Sequence, residues 1–189
     1  ITRELLDRHG LRYCAHADIA TLEEARPALE RVKLEGVDRI NVQLGDHDTP
    51  IPFATELARH VMAIADELGV SAAVEMHRDT ATETPEKMFE IADGFNASEG
   101  KLLPVTFDFS HFAIIKSLAP PFYDRLMERE DLVVHSDHIH FRPFNGHHGQ
   151  IRAIDHDGAL TAEFEDYLEF VDALLATWLA NSWSGRELW

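Results

Sequence analysis

The sequence predicts an α/β protein built on a parallel sheet, and three observations predict it. Five apolar stretches of strand length alternate with segments of helical periodicity. They recur about every 30 residues, the length of a strand-plus-helix unit. No linker, low-complexity tract or charge block breaks the alternation, so residues 1–189 read as one domain. At 21.4 kDa, a folded chain buries about 70% of the surface its unfolded form exposes, enough for one sizeable core.

Residues 2–9 read as a helix tail, and Gly10 suits its C-cap. Residues 11–17 (LRYCAHA) form the first strand, with Cys14 and His16 on one face. Thr21 with Glu24 makes a capping box, followed by Leu22, Ala25, Leu29 and Val32 at helical spacing; Gly36 ends that helix, and Pro27 sits inside it as a local conflict. Residues 37–44 (VDRINVQL) form the second strand. Pro52 opens a helix whose stripe is Phe53, Leu57, Val61, Ile64 and Leu68, ending at Gly69. Residues 70–76 (VSAAVEM) form the third strand, and Thr84-Pro85 opens a helix running to Gly94. Residues 103–109 (LPVTFDF) form the fourth strand, and Pro120-Pro121 opens a shorter helix to Met127. Residues 132–141 (LVVHSDHIHF) form the fifth strand. After a loop of Gly, His and Asn, Thr161 caps the longest helix, whose buried face carries Phe164, Leu168, Val171, Leu175 and Trp178. Trp178, Trp183 and Trp189 are read as core rather than as an association surface.

Such a pattern suits either an open doubly wound sheet or a (β/α)₈ barrel. No strand is followed by G-x-G-x-x-G or G-x-x-x-x-G-K-[ST], so nucleotide-binding open sheets lack support. The chain starts at Ile1, and Arg186-Glu187-Leu188-Trp189 resembles the approach to a further strand. It is therefore read as an excerpt of a longer protein.

Composition narrows function. With 45% hydrophobic and 27% charged residues the chain is ordinary for a globular protein. Its apolar runs fall short of the roughly 18 residues of a membrane span. The net charge of −17 repels phosphate backbones and anionic lipid, which counts against nucleic-acid and membrane partners. A single cysteine, Cys14, excludes an intrachain disulfide and fits a reducing, cytoplasmic setting. The oligomeric state is left open.

Strand parity collects one polar set. Side chains alternate across a strand, so Ser71, Ala73, Glu75 and His77 share a face opposite Val70, Ala72, Val74 and Met76. Thr106, Asp108 and Ser110 oppose Phe107 and Phe109, which suit packing under helices. Val134, Ser136, His138 and His140 share a face, and Asn41 and Gln43 oppose Ile40, Val42 and Leu44. In a barrel, the C-terminal strand ends form one mouth where active sites sit. Glu75, Asp108 and His140 would converge there. Two carboxylates and an imidazole suit a divalent ion, the carboxylates balancing charge and the neutral nitrogen adding a fixed donor. His138 shares parity with His140 and rivals it as ligand. His9, His47, His60 and His156 read as surface residues, and His147-His148 as either part of the mouth or solvated loop.

The segments Glu75-Met-His-Arg-Asp-Thr, Phe107-Asp108-Phe-Ser-His111 and His138-Ile-His140-Phe-Arg142, in that order, resemble the sugar phosphate isomerase/epimerase superfamily. These are the xylose isomerase-like TIM barrels, and the likeness covers about residues 11–189. It implies a (β/α)₈ barrel lacking its first strands and its last strand in this chain. It implies one Mn²⁺, Mg²⁺, Co²⁺ or Zn²⁺ on Glu75, Asp108 and His140, with a fourth ligand, a last-strand Glu, having no counterpart before Trp189. It also implies substrate binding by His111 and Arg142; His77, on the face of Glu75, joins them as a candidate. The implied reaction is isomerisation or epimerisation of a sugar or polyol ketone, with Glu75 taking the proton alpha to a metal-bound carbonyl through an enediolate. A sugar- or metal-binding barrel without turnover and a lyase or dehydratase of the same superfamily stand as alternatives. The endonuclease IV branch is disfavoured by charge, and Asp155-His156-Asp157 does not reproduce its Asp-x-His element.

Overall fold

The computed structural model describes residues 3–189. Its elements in chain order are α1 (Arg3–His9), β1 (Ala15–Ile19), α2 (Leu22–Leu34), β2 (Arg39–Leu44), α3 (Ile51–Leu68), β3 (Ser71–Glu75), α4 (Pro85–Glu99), β4 (Val105–Phe107), α5 (Phe109–Ile115), α6 (Tyr123–Leu126), α7 (Glu130–His135), β5 (His138–Ile139) and α8 (Ala162–Ala180). Thr2, the first residue of the expected helix tail, lies with Ile1 outside the described residues.

All strand pairs are parallel, and the spatial order is the chain order, β1-β2-β3-β4-β5. A doubly wound sheet reverses its strand order at a switch point. This one advances in a single direction, as barrel strands do. Register sets Asn41 beside His16 and Ala73, and Thr106 beside both Glu75 and His138.

The sheet has one apolar face. Ile40, Val42, Leu44, Val74, Met76, Val105, Phe107 and Ile139 are buried on it in one core with the helices. α3 contributes Ala54, Leu57, Ala58, Val61, Ile64 and Ala65 to that core. Each large aliphatic so buried stabilises the fold by about 1.5–3 kcal/mol relative to exposure. The α2 capping box forms, with the Ala20 and Thr21 backbone N–H groups donating to Glu24. The helix then runs through Pro27 to Leu34.

Several expected boundaries move. The first strand starts at Ala15, so Cys14 lies outside it. α4 continues past Gly94 to Glu99. That glycine is a point of close approach rather than a stop, since a Cβ there would sit 3.0 Å from Thr55 of α3. The helix expected to open at Pro120-Pro121 begins at Tyr123.

β4 ends at Phe107, because Asp108 caps α5 through the Ser110 backbone N–H. The long fifth strand is the main correction. Residues 130–135 are α7, and only His138 and Ile139 pair as strand. Glu130 and Asp131 suit a helix N-terminus, and a short run such as Leu-Val-Val fits either element until its neighbours decide.

The buried stripe of α8 is Tyr167, Phe170, Leu174 and Trp178, turned from the expected one, whose other members are only half-buried. Aromatic contacts set the rotation. Phe107 stacks on Phe109 at 5.1 Å, Phe109 meets Phe170 edge-on at 5.1 Å, and Phe144 meets Tyr167 at 5.4 Å. Trp178 is buried, with its indole N–H on the Ser136 carbonyl at 2.6 Å. Trp183 is 68% exposed, contrary to a core role. No helix among the described residues is long and apolar enough to cross a membrane.

The segment after β5 is held against α5 and the turn that follows it. Ile151 N–H donates to Pro143 O, and Asn145 Oδ1 accepts from the N–H groups of His147 and His148, whose side chains are exposed. Gly146 lies against backbone: a Cβ there would sit 2.1 Å from Leu118 O and 2.8 Å from its N. Backbone cannot yield as a side chain does. Gly146→Ala is therefore expected to destabilise the protein by about 1–3 kcal/mol, read as a lowered urea midpoint. An unchanged midpoint would place the loop away from Leu118.

Candidate metal centre

Glu75 is the last residue of β3, Asp108 follows β4 by one residue, and His140 follows β5 by one. Three adjacent parallel strands thus present them at their C-terminal ends, opposite the apolar face. One donor atom from each lies within 4.8 Å of the others. It is the one such group of three found among the described residues. Glu75 and Asp108 are buried, and His140 is half-buried.

Glu75 is held at both oxygens. Oε1 lies 2.9 Å from His140 Nδ1. Oε2 accepts from the side-chain amides of Asn41 and Gln43, each at 2.7 Å. Burial pushes the carboxyl pKa up, but the hydrogen bonds from His140, Gln43 and Asn41 outweigh it and hold it at about 2. The backbone is fixed as well: Thr82 Oγ1 donates to the Glu75 carbonyl at 2.6 Å and is itself bonded to Thr80.

Asp108 carries a fork of its own. Arg142 Nη2 lies 2.6 Å from Oδ2 and Nε 3.3 Å from Oδ1, while Ser110 donates to Oδ1 from its hydroxyl at 2.6 Å and its N–H at 3.1 Å. Against burial, His140, Ser110 and Arg142 hold this carboxyl at about 2. The carboxylates of Asp108 and Glu75 in turn push the His140 imidazole up to about 9. Of the two, Glu75 makes the hydrogen bond, since His140 Nδ1 is 3.8 Å from Asp108.

The other candidates surround this set. Arg142 Nη2 also lies 2.7 Å from His111 Nε2. A guanidinium only donates, so Nε2 accepts and the His111 proton sits on Nδ1. That atom is buried and has no hydrogen-bond partner among the described residues. Burial, with His77 and Arg142 nearby, depresses His111 to about 4 despite Asp108, so it is neutral at neutral pH.

His77 Nδ1 donates to the Arg78 carbonyl at 2.7 Å, leaving Nε2 with a lone pair; its ring lies 4.3 Å from that of His111. His138 stands outside the ligand group. Its Nδ1 is 3.2 Å from Thr106 Oγ1, and burial with the His140 charge depresses it to about 4. Asp155-His156-Asp157 is an exposed turn.

Asn41, Gln43 and Ser110 were not singled out as site residues from sequence. Parity put Asn41 and Gln43 on one face, but register across two strands is what brings them to Glu75. Ser110 reaches Asp108 from the first turn of a helix that was not expected.

A divalent ion fits these residues. Two ionised carboxylates supply the charge that such an ion balances, and His140 supplies a nitrogen once its proton leaves. In chelator-treated protein the His140 cation fills that electrostatic role, which fixes a sign. A histidine raised from 6.5 to about 9 adds stability that is fully present below 6.5 and lost as pH rises through 9. The melting temperature of chelated protein should therefore fall between pH 6.5 and 9, and His140→Gln should flatten that limb. An identical slope in the variant would mean that His140 is not the group responsible.

No protein-family model matches the sequence, and no curated protein matches it. Solved structures do, two of them sugar epimerases or epimerase-like by name. A D-tagatose 3-epimerase-like protein superposes with a TM-score of 0.56 at 18% identity, over 94% of this chain and 82% of its own. The 3-keto-D-glucoside 4-epimerase YcjR from E. coli, in its apo form, gives 0.54 at 14% identity, over 98% of this chain and 73% of its own. The chain shares the TIM-barrel fold of these two proteins. The five parallel strands are successive barrel strands, the polar face of the sheet is the barrel interior, and the Glu75–Asp108–His140 group stands at the mouth where barrel enzymes place their chemistry.

Proposed function

We propose that the chain is a divalent-metal-dependent isomerase or epimerase acting on a sugar or related polyol ketone. The observation that carries this is the convergence of Glu75, Asp108 and His140 at one barrel mouth. Support comes from the two epimerases that share the fold.

Glu75, Asp108 and His140 would hold the ion. Bound there, it supplies Lewis acidity at a substrate carbonyl, stabilising charge that develops on the oxygen. Glu75 is ionised throughout the neutral range and would take the proton alpha to that carbonyl on Oε1, the oxygen that Asn41 and Gln43 leave open. His111 carries an unpartnered N–H at its buried Nδ1, a donor for a substrate hydroxyl once the residues covering that atom move aside. Arg142 orients Asp108 and presents its remaining N–H groups to substrate oxygens. His77 adds an acceptor at Nε2. The buried floor under these groups limits water and strengthens each interaction.

The test is deuterium uptake from D₂O into a panel of ketoses, at the carbon next to the carbonyl, with Mn²⁺ or Co²⁺ supplied. Uptake that EDTA abolishes supports the reading. Metal and sugar binding without uptake would leave a binding barrel.

A further inference from the structure

We infer that Asn41 and Gln43 are positioning residues that make Glu75 a one-oxygen metal ligand. The inference rests on the metal reading above and goes beyond it, because it concerns how the ligand is presented.

Asn41 and Gln43 are two apart on β2, so both face the barrel interior. β2 is bonded in parallel to β3, with Val42 beside Val74. That register brings both amides alongside the strand end that carries Glu75. Each donates to the same atom, Oε2, at 2.7 Å. A carboxylate oxygen that accepts two short hydrogen bonds has little left to offer a cation. Oε1 faces the other way, 2.9 Å from His140 Nδ1, within the donor group.

Asn41 is itself fixed. Its Nδ2 also approaches His16 Nδ1 at 3.3 Å, and His16 Nε2 meets Asp18 at 2.9 Å. Asn41 is only 4% exposed, and its Oδ1 has no hydrogen-bond partner among the described residues. A flipped amide would set that oxygen against the Glu75 carboxylate, so charge selects the donating orientation despite the unpartnered acceptor. Asp18, His16, Asn41 and Glu75 thus form a continuous polar chain from the mouth to the metal ligand.

Partners that orient a ligand set its geometry and affinity; removing one costs about 10–100-fold in metal binding. Cobalt(II) reports the geometry directly, since its visible d–d absorption weakens as coordination number rises. Gln43→Met keeps size and removes one donor from a half-buried site; Asn41→Leu removes the other. The experiment is titration of wild type and each variant with Co²⁺, following the visible spectrum and the Kd, with circular dichroism to confirm folding. Expected is a weaker, shifted d–d band in Gln43→Met, as Glu75 turns to offer both oxygens, with Co²⁺ bound about tenfold more weakly. Asn41→Leu should match it, and Gln43→Glu, which removes the donor but keeps the polarity, should not restore the wild-type spectrum.

A wild-type band in folded Gln43→Met overturns the inference, and weaker binding with an unaltered band overturns it too, by showing that the amide affects affinity without setting how Glu75 coordinates. Failure of the wild type itself to bind Co²⁺ overturns the metal reading instead, and the inference falls with it.

Discussion

Asp108→Asn is expected to empty the site of metal. Wild type purified without chelator should carry about one divalent ion per chain by elemental analysis, and the variant less than about a tenth of that, since a direct ligand is worth at least the 10–100-fold of an indirect one. The geometry says why so small a change acts so strongly. Asn keeps the shape of Asp and can still accept from Ser110 at one oxygen. It loses the charge, and its NH₂ then faces the Arg142 Nη2 that sits 2.6 Å from Oδ2. Two donors meet where a donor met an acceptor. His140 and Arg142 are left with Glu75 as their nearest carboxylate in the group. Stability should drop by about 1–3 kcal/mol, less than for a fully buried pair because a third of the Arg142 side chain is exposed. Circular dichroism and a urea curve separate that loss from unfolding. Undiminished metal in the folded variant would remove Asp108 from the ligand set and break the proposed centre.

Much of the fold was legible because alternation and capping are local. The helix caps at Thr84 and Thr161 and the stop at Gly69 follow from residues within one turn of each end. Strand parity in 71–75 is visible in five residues, and it places Glu75 on the polar face without knowledge of any neighbour. Asp108 and His140 were found by the same rule, although each lies just past a strand that proved shorter than expected. The rule survived because the chain stays extended for one residue beyond the ladder: His140 N–H still bonds Phe107 O at 2.8 Å.

What was not legible is non-local. Leu132 and Val133 are buried in α7, which packs against both α8 and β4, and a short apolar run does not by itself choose between helix and strand. The rotation of α8 depends on where Phe109 and Phe144 stand. Arg142 is expected at substrate oxygens; that it also grips Asp108 and His111 depends on β5 lying beside β4, a pairing no spacing reveals. The Asn41–Gln43 pair likewise needs the register of β2 on β3.

Glu75→Gln should reduce deuterium uptake by about 10³-fold, within the 10²–10⁴ range for a general base. Two losses combine in it, and they separate. As ligand, the substituted side chain would set an NH₂ where Oε1 now stands, since its oxygen is held by Asn41 and Gln43, so metal binding weakens and more ion is needed. As base, it would have no basic oxygen, and added metal cannot repair that. Uptake measured at saturating Mn²⁺ therefore isolates the second role. The surroundings favour a clean result: Gln is isosteric, and its carbonyl oxygen can keep the amide bonds from Asn41 and Gln43. Its NH₂ then points at His140 Nδ1, 2.9 Å from the present Oε1, and can donate there once the imidazole is neutral. The pocket keeps its shape and loses one charge. Glu75→Asp gives the complementary test, since it keeps a carboxylate but draws it back by one methylene. It should retain metal better than Glu75→Gln and still exchange slowly, because proton transfer requires contact and charge attraction does not. Uptake near wild type in metal-saturated Glu75→Gln would assign the base elsewhere, and His77 Nε2, the free ring nitrogen beside His111, would be the next group to remove.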